Sequence, residues 1–128
     1  MGSLRVALVD DSERIRSRVA EMVAEIANAE IVFAADTEGD AVRLLAQQDW
    51  DVLILDLQLR IGTGLGVLKA MQGLRREGRI ALVFTNYAFR QYRERATALG
   101  ADHFFDKARD FDALRATLRA KAEQAAAH

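Results

Sequence analysis

Five short runs of apolar, often β-branched residues recur along the chain, separated by more polar segments. Runs of this length and composition are typical of β-strands. Two of them, VLIL and IALVF, are apolar at every position, which is typical of parallel strands covered by helices on both faces. The pattern predicts strands at Leu4–Val9, Ile31–Ala35, Val52–Leu55, Ile80–Phe84 and His103–Phe105.

The segments between these runs have the three-to-four-residue apolar spacing of amphipathic helices. The clearest of them repeats apolar residues from Ile15 to Ile26, and Ser12 before it is a favoured N-terminal capping residue. Thr37 is predicted to cap the second helix. Three further helices are predicted over Leu65–Leu74, over Phe89–Leu99 and behind Asp110.

Strands and helices therefore alternate along the whole chain. This order predicts an α/β fold, with a parallel sheet, right-handed crossovers and helices on both faces. Ligands of such sheets bind outside the carboxyl ends of the strands. The residues that directly follow each strand are therefore the candidate functional residues.

The composition is that of one globular domain. The 128 residues are 51% hydrophobic and 29% charged, with no cysteine and no proline, although about six prolines would be expected at a frequency of roughly 5%. We predict a single domain over residues 4–126, with residues 1–3 as a cloning remnant. No apolar run approaches the roughly 18 residues of a membrane span. A soluble, cytoplasmic protein without membrane contact is expected.

The formal net charge is only −1, with a sequence pI near 6.1. This balance argues against direct binding to nucleic acid. The two halves differ, since residues 1–64 hold six basic and twelve acidic residues and residues 65–128 hold twelve and seven. The difference indicates distinct surfaces or, equally well, ordinary solvation of helix faces.

Three carboxylates come at the ends of neighbouring predicted strands. Asp10 and Asp11 follow the first strand and Asp56 follows the third. Carboxylates gathered at one edge repel one another, so a positive group must neutralise them. A hard divalent ion that prefers oxygen ligands and keeps several waters suits this set, and these properties are those of Mg²⁺.

A metal at these carboxylates would make Asp56 a plausible oxygen nucleophile toward a phosphoryl group. Lys107, after the fifth strand, would supply a positive charge, and Thr85, after the fourth, would supply a hydroxyl donor. Each residue alone is more often a cap or turn former. The presence of all five residues at the ends of four strands favours a joint function. The glycines from Gly62 to Gly66 lie too far from their strand for a nucleotide loop and are interpreted as a turn and helix start.

These residues resemble the receiver domain of response regulators, the CheY-like domain of two-component signal transduction. The segments that carry the resemblance are VALVDDSE, DVLILDLQL, LVFTN and ALGADHFFDK. Asp56 lies 45 residues after Asp11, Thr85 lies 29 residues after Asp56, and Lys107 lies 22 residues after Thr85, similar to the family pattern. The resemblance implies a three-layer, doubly wound, flavodoxin-like fold with strand order 2-1-3-4-5 and five helices.

The resemblance also implies a phosphoacceptor that is not itself an enzyme. Asp56 would accept phosphate from a histidine kinase or a histidine phosphotransfer protein in a bacterial phosphorelay. Asp10, Asp11, Asp56 and the backbone carbonyl of Gln58 would hold magnesium, while Lys107 and Thr85 would contact the phosphoryl group.

Receivers switch between two conformations, and the resemblance assigns that role to Thr85 and Phe104. Their movement would remodel the face formed by the fourth helix, the fifth strand and the fifth helix for an unidentified downstream protein. The alternative to this switch role is that Phe104 only packs in the core as part of a strand. A monomer or a phosphorylation-dependent dimer is expected.

Three positions are implied to tune dephosphorylation or access to the acceptor. Asn86 replaces the usual Ala or Gly of the family and is predicted to narrow the approach to Asp56. Gln58 and Tyr87 lie two residues beyond Asp56 and Thr85, respectively. We predict that Tyr87 beside Gln58 slows the attack of water and gives a long-lived phosphoryl group.

Three alternatives are weighed against this function. A receiver-fold interaction module could signal without phosphorylation, since a fold survives loss of its chemistry, but the complete residue set argues against it. A phosphatase with an aspartyl nucleophile would need a DxDx motif after the first strand, where this chain has DDSE. No DNA-binding module follows the fifth helix, so a transcription factor is not expected from these residues alone, although the domain could be excised from a longer protein.

Two of the missing prolines map to the candidate site. Receivers usually carry one a few residues after the acceptor, where this chain has Leu59, Arg60 and Ile61, and one directly after the lysine, where it has Ala108. The second usually follows a cis bond, which before a non-proline residue costs about 3–4 kcal/mol. We predict a trans bond before Ala108 and a different loop.

Overall fold

A five-stranded parallel sheet forms the centre of the molecule in the computed structural model, which describes residues 2–127. Its spatial order is β2-β1-β3-β4-β5, and every neighbouring pair is parallel. This order confirms the predicted doubly wound α/β fold. The strands are β1 (Leu4–Val9), β2 (Ala29–Ala35), β3 (Val52–Leu55), β4 (Ile80–Thr85) and β5 (His103–Asp106).

Helices cover both faces of this sheet. They are α1 (Glu13–Ala24), α2 (Glu38–Gln47), α3 (Gly64–Ala70), α4 (Arg90–Ala98) and α5 (Phe111–Ala126). The third is shorter than predicted, because Met71–Leu74 form a 3₁₀ turn instead of continuing α3. Gly73 lies in this turn, and glycine disfavours an α-helix by about 1 kcal/mol relative to alanine. Met1 and His128, at the ends of the sequence, lie outside the described residues.

Both side chains that are predicted to cap helices do so. Ser12 Oγ accepts the Ile15 N–H at 3.2 Å, and Thr37 Oγ1 accepts the Asp40 N–H at 3.2 Å. Asp110 precedes α5 but makes no capping bond to that helix. Its Oδ2 accepts the backbone N–H of Asp106 at 2.8 Å instead. The carboxylate thus shapes the loop before α5.

The sheet separates two apolar layers. On one face, Leu8, Ile54 and Leu82 pack with buried residues of α1 and α5. On the other, Leu53 and Val83 pack with buried residues of α2, α3 and α4. Alternate strand residues therefore face opposite layers, which is the reason for the continuously apolar runs of β3 and β4.

Trp50 marks the edge of the sheet at which β3 begins. Its indole is 1% exposed, and its Nε1 donates to the Leu45 carbonyl at 3.1 Å. The Arg79 guanidinium lies 4.4 Å from the ring centroid and donates through Nε to the Trp50 carbonyl at 3.0 Å. Apolar and cation–π contacts thus close the edge opposite the strand carboxyl ends. Within residues 2–127, no helix is long and apolar enough to cross a membrane.

Candidate functional site

Three carboxylates meet at the carboxyl ends of β1 and β3. Asp10 and Asp56 directly follow strand residues Val9 and Leu55, which are partners in the parallel pairing, so their side chains emerge side by side. Both are buried, whereas Asp11 is exposed. One carboxylate oxygen from each lies within 4.8 Å of the others. The structure thus brings together the three predicted acidic residues.

Lys107 enters the same cluster from the end of β5. Its Nζ lies 2.8 Å from Asp10 Oδ2 and 2.8 Å from Asp56 Oδ2, and its side chain is only 5% exposed. Burial by itself lowers the pKa of Lys107, but the hydrogen bonds to Asp10 and Asp56 outweigh that effect and raise it. The ammonium group is therefore charged at neutral pH.

The remaining carboxylate oxygens are held by backbone groups. Asp10 Oδ1 accepts the Ser12 N–H at 2.9 Å, and Asp56 Oδ1 accepts the Leu57 N–H at 2.7 Å. Burial raises the pKa of Asp10, with Lys107 and Ser12 acting in the opposite direction. One oxygen of each buried aspartate thus faces the lysine, while the other fixes the carboxylate plane.

The donor set fits a hard divalent cation. Three carboxyl groups gather around one lysine, and the cluster offers oxygen donors without histidine or cysteine. Mg²⁺ prefers such oxygen ligands and retains several waters. The exposure of Asp11 leaves one side of the cluster open to solvent, where those waters can lie.

Thr85 is the last residue of β4, between the strands that carry Asp56 and Lys107. It is fully buried, and its carbonyl accepts the Lys107 N–H at 3.0 Å. Its Oγ1 accepts the backbone N–H of Tyr87 at 3.1 Å. The hydroxyl of Thr85 is thus bonded to the loop that follows β4.

A cleft of about 370 Å³ opens beside this site, between the β3–α3 loop and the start of α4. Gln58 and Tyr87 both line it, and Tyr87 is 39% exposed. Tyr92 contacts Tyr87 edge to face, with 6.3 Å between centroids. Asn86 is exposed beside them. The remaining lining residues are Leu57, Leu59, Gly62, Thr63 and Leu65.

Phe104 lies inward, in the layer beneath α4, with 9% of its surface exposed. The guanidinium of Arg93 covers it at 4.7 Å from the ring centroid and donates to the Phe104 carbonyl at 3.4 Å. This contact links the predicted switch residue to α4. The sequence did not predict the contact between Arg93 and Phe104, because the two residues meet only after α4 packs beside β5.

The loop after Asp56 is tightly folded against that residue. Leu57 and Leu59 are buried, and burial of a leucine side chain contributes about 1.5–3 kcal/mol. Gly64 N–H donates to the Leu57 carbonyl at 2.8 Å. A Cβ on Gly64 would lie 2.8 Å from Leu57 Cα and 2.9 Å from the carbonyl carbon of Asp56. The glycine interpretation as a helix start is confirmed, but the sequence did not indicate this close backbone approach.

Backbone N–H groups are used at the two places where prolines were expected. Arg60 N–H donates to the Asp36 carbonyl at 3.0 Å, and Ala108 N–H donates to Asp106 Oδ1 at 2.8 Å. Proline could make neither bond. Among residues 2–127 every peptide bond is trans, which confirms the prediction for Ala108. Hydrogen bonds to neighbouring segments thus shape both loops.

Comparison with known proteins agrees with this geometry. The family model described as "Response regulator receiver domain" matches residues 6–119. A protein-glutamate methylesterase/protein-glutamine glutaminase of Clostridium acetobutylicum is 28% identical over 109 residues, which are 84% of this chain and 31% of that protein. The chain therefore spans about a third of the length of this curated relative.

Solved structures share the fold across almost the whole chain. The response regulator domain of Thermotoga maritima CheB superposes with a TM-score of 0.80 at 20% identity, covering 95% of both chains. The response regulator TrrA of the same organism, solved in complex with Mg(2+)-BeF, gives 0.78 at 24% identity, covering 92% of this chain and 98% of that one. At these identities the likeness shows the fold.

Proposed function

This chain belongs to the response regulator receiver domain family, and we propose that it is a magnesium-dependent phosphoacceptor with Asp56 as the acceptor. The observation that carries the proposal is the Lys107 ammonium, which bridges Asp10 and Asp56 at 2.8 Å to each in a buried cluster. A purely structural ion pair would not need the adjacent excess of carboxylates. The phosphodonor is a phosphohistidine of a histidine kinase or phosphotransfer protein.

Magnesium would be held by Asp10, Asp11, Asp56 and the backbone carbonyl of Gln58. When bound, the ion neutralises charge on the phosphoryl oxygens and orients them for in-line transfer. The carboxylates supply this binding through oxygen donors alone. TrrA, a protein of the same fold, was solved in complex with Mg(2+)-BeF, and this complex supports the assignment.

In the transfer step a carboxylate oxygen of Asp56 attacks the phosphorus of the phosphohistidine. The new O–P bond forms as the P–N bond breaks, and the imidazole leaves with its electron pair and takes up a proton. Lys107 must exchange its bond to Asp56 Oδ2 for the phosphoryl oxygens, whose charge it neutralises. The domain thus assists the transfer but does not turn over a substrate of its own.

The phosphorylated domain signals through Thr85 and Phe104. The Thr85 hydroxyl leaves the Tyr87 N–H and donates to a phosphoryl oxygen, which releases the loop that leads into α4. Phe104 and Arg93 transmit the change to the face of α4, β5 and α5, where a downstream protein or a second copy binds. Phosphorylation acts by binding the active conformation more tightly than the inactive one.

A phosphorylation-independent interaction module is not favoured, because the three aspartates and Lys107 lie in one cluster, with Thr85 at the end of the strand between Asp56 and Lys107. A module without phosphotransfer would have no need to bury Lys107 between two aspartates. We propose that the domain acts in signal transduction in a bacterial cytoplasm.

Beryllofluoride, a stable mimic of a phosphoryl group, tests the site without a cognate donor. We expect beryllofluoride with Mg²⁺ to shift the amide resonances of Asp56, Thr85 and Lys107 in an NMR titration, and we expect no shift with beryllofluoride and EDTA. Intact-mass measurement after incubation with phosphoramidate and with phosphorylated histidine kinases then measures the gain of one phosphate. Absence of any Mg²⁺-dependent shift would favour the interaction module.

Tyr87→Ala is expected to shorten the lifetime of the phosphoryl group about threefold to tenfold, because the ring covers the cleft through which water approaches beside Gln58. This change corresponds to about 0.7–1.4 kcal/mol of barrier. The measurement is the loss of phosphate with time by intact mass after removal of the donor. Phe89→Ala is the matched control, since Phe89 contacts Tyr92 but does not line the cleft. Equal lifetimes in Tyr87→Ala and wild type would contradict the role of Tyr87.

A further inference from the structure

Glu38, the first residue of α2, reaches across to the start of α3. Its Oε1 accepts the backbone N–H of Thr63 at 2.9 Å. The glycines on either side leave room for it, since a Cβ on Gly66 would lie 2.5 Å from Glu38 Cδ, and one on Gly62 would lie 2.7 Å from its Oε1. Gly62 and Gly66 therefore accommodate a carboxylate from another element.

Further bonds hold the same loop, residues 57–63, against the end of β2. Glu38 N–H donates to the Ile61 carbonyl at 2.9 Å, and Arg60 N–H donates to the Asp36 carbonyl at 3.0 Å. The side chains of Arg60 and Asp36 pair at 3.0 Å. Thr37 and Ile61 form a single parallel β-bridge. Outside contacts thus restrain the loop at several successive residues.

Within the loop, Thr63 lies directly opposite Gln58. The two form an antiparallel β-bridge, which the bond from Gly64 N–H to the Leu57 carbonyl closes at 2.8 Å. Glu38 therefore holds the backbone strand that faces Gln58. A proline ring would have restricted the backbone here, but this chain has none.

We infer that Glu38 is a positioning residue for the metal site: by holding Thr63, its carboxylate fixes the Gln58 carbonyl in place for Mg²⁺. This inference rests on the proposed function, since it requires magnesium at the aspartate cluster. Mg²⁺ demands nearly ideal octahedral geometry, so a small displacement of one ligand weakens its binding. Residues that orient metal ligands typically change affinity about 10- to 100-fold when removed.

Glu38→Ala and Gly66→Ala test the inference by two routes. The first removes the carboxylate, and the second places a methyl group where the carboxylate lies. Each is expected to weaken Mg²⁺ binding about tenfold in isothermal titration. Because both changes break the same contact, the double variant is expected to be no weaker than either single one.

Three controls separate positioning from charge and from stability. Glu38→Gln retains an oxygen that can accept the Thr63 N–H, so it is expected to keep most of the affinity. Glu94→Ala removes an equal charge from an exposed ion pair on α4 and is expected to bind like wild type. Gly66→Ala places a better helix former in α3, so we expect its thermal stability to be maintained while its Mg²⁺ affinity falls.

Two further measurements have readouts that a merely structural role would not change in this way. In the variants that lose the contact, hydrogen exchange at the Thr63 amide is expected to accelerate without Mg²⁺, while the core strands keep their protection. Saturating Mg²⁺ is expected to restore the phosphorylation rate, because no group that contacts the phosphoryl is altered.

The outcomes distinguish this inference from the proposed function. Asp10→Asn is expected to abolish Mg²⁺ binding, and a wild-type protein that fails to bind the ion would overturn both proposals. If Asp10→Asn abolishes Mg²⁺ binding but Glu38→Ala and Gly66→Ala leave it unchanged, only the positioning role of Glu38 is overturned. Equal losses in Glu38→Gln and Glu38→Ala would also overturn it, since charge would then account for the effect.

Discussion

Replacing Asp56 with Asn is expected to abolish the gain of phosphate while leaving the domain folded. The amide lacks the anionic oxygen that attacks phosphorus, and no other carboxylate of the cluster lies at the end of the central strand β3. Lys107 keeps its bond to Asp10 in the variant, so the buried ammonium still has a charged partner. Intact mass after exposure to a phosphohistidine donor and Mg²⁺ measures the result.

The matched control is Asp112→Asn, which makes the same chemical change at an exposed position of α5 and is expected to gain one phosphate as wild type does. A gain of one phosphate by Asp56→Asn would refute Asp56 as the acceptor and would direct attention to Asp10 and Asp11. Far-UV circular dichroism verifies that each variant is folded before the donor is added.

Gly64→Ala is expected to destabilise the domain by about 1–3 kcal/mol, the usual cost of overpacking, and to reduce phosphorylation at the same time. The added methyl group would meet the backbone of Asp56 and Leu57, and backbone atoms at the end of a central strand cannot move aside as a flexible side chain can. The turn after the acceptor must open, which breaks the bond from Gly64 N–H to the Leu57 carbonyl. Urea unfolding gives the free energy.

Gly39→Ala is the control for this change. Gly39 lies in α2 with nothing near its Cα that a methyl group would meet, so the substitution is expected to stabilise the domain by up to about 1 kcal/mol. A loss of stability in Gly64→Ala together with a gain in Gly39→Ala would establish that packing against Asp56, rather than the loss of a glycine, governs the change in stability. Equal stability of Gly64→Ala and wild type would contradict the close approach described here.

The strands and the acidic cluster could be predicted because their signals are local. The apolar runs of β1 and β3 matched the observed strands at both ends, and Asp10 and Asp56 were expected together because parallel strands place their carboxyl ends at one edge. The strand order came from the family resemblance, since periodicity alone does not specify which strands are neighbours. Helix ends were less accurate, as the 3₁₀ turn after Ala70 illustrates.

Side-chain contacts away from the strand ends could not be predicted. The bond between Glu38 and Thr63 joins residues 25 positions apart, and Arg93 covers Phe104 only once α4 lies beside β5. Neither pair leaves a periodic pattern in the sequence. Gly62 and Gly66 were interpreted as part of a turn and helix start, and nothing in the sequence indicated that the Glu38 side chain lies against them.

The position of Trp50 has a practical consequence for spectroscopy. It is the single tryptophan of the chain. It is buried beneath Arg79, at the edge of the sheet opposite Asp10, Asp11 and Asp56. Its emission should therefore be blue-shifted in the native state and should move to the red when the core opens. Because the indole is remote from the acceptor, intrinsic fluorescence reports the folding state of every variant proposed here independently of whether the site is filled.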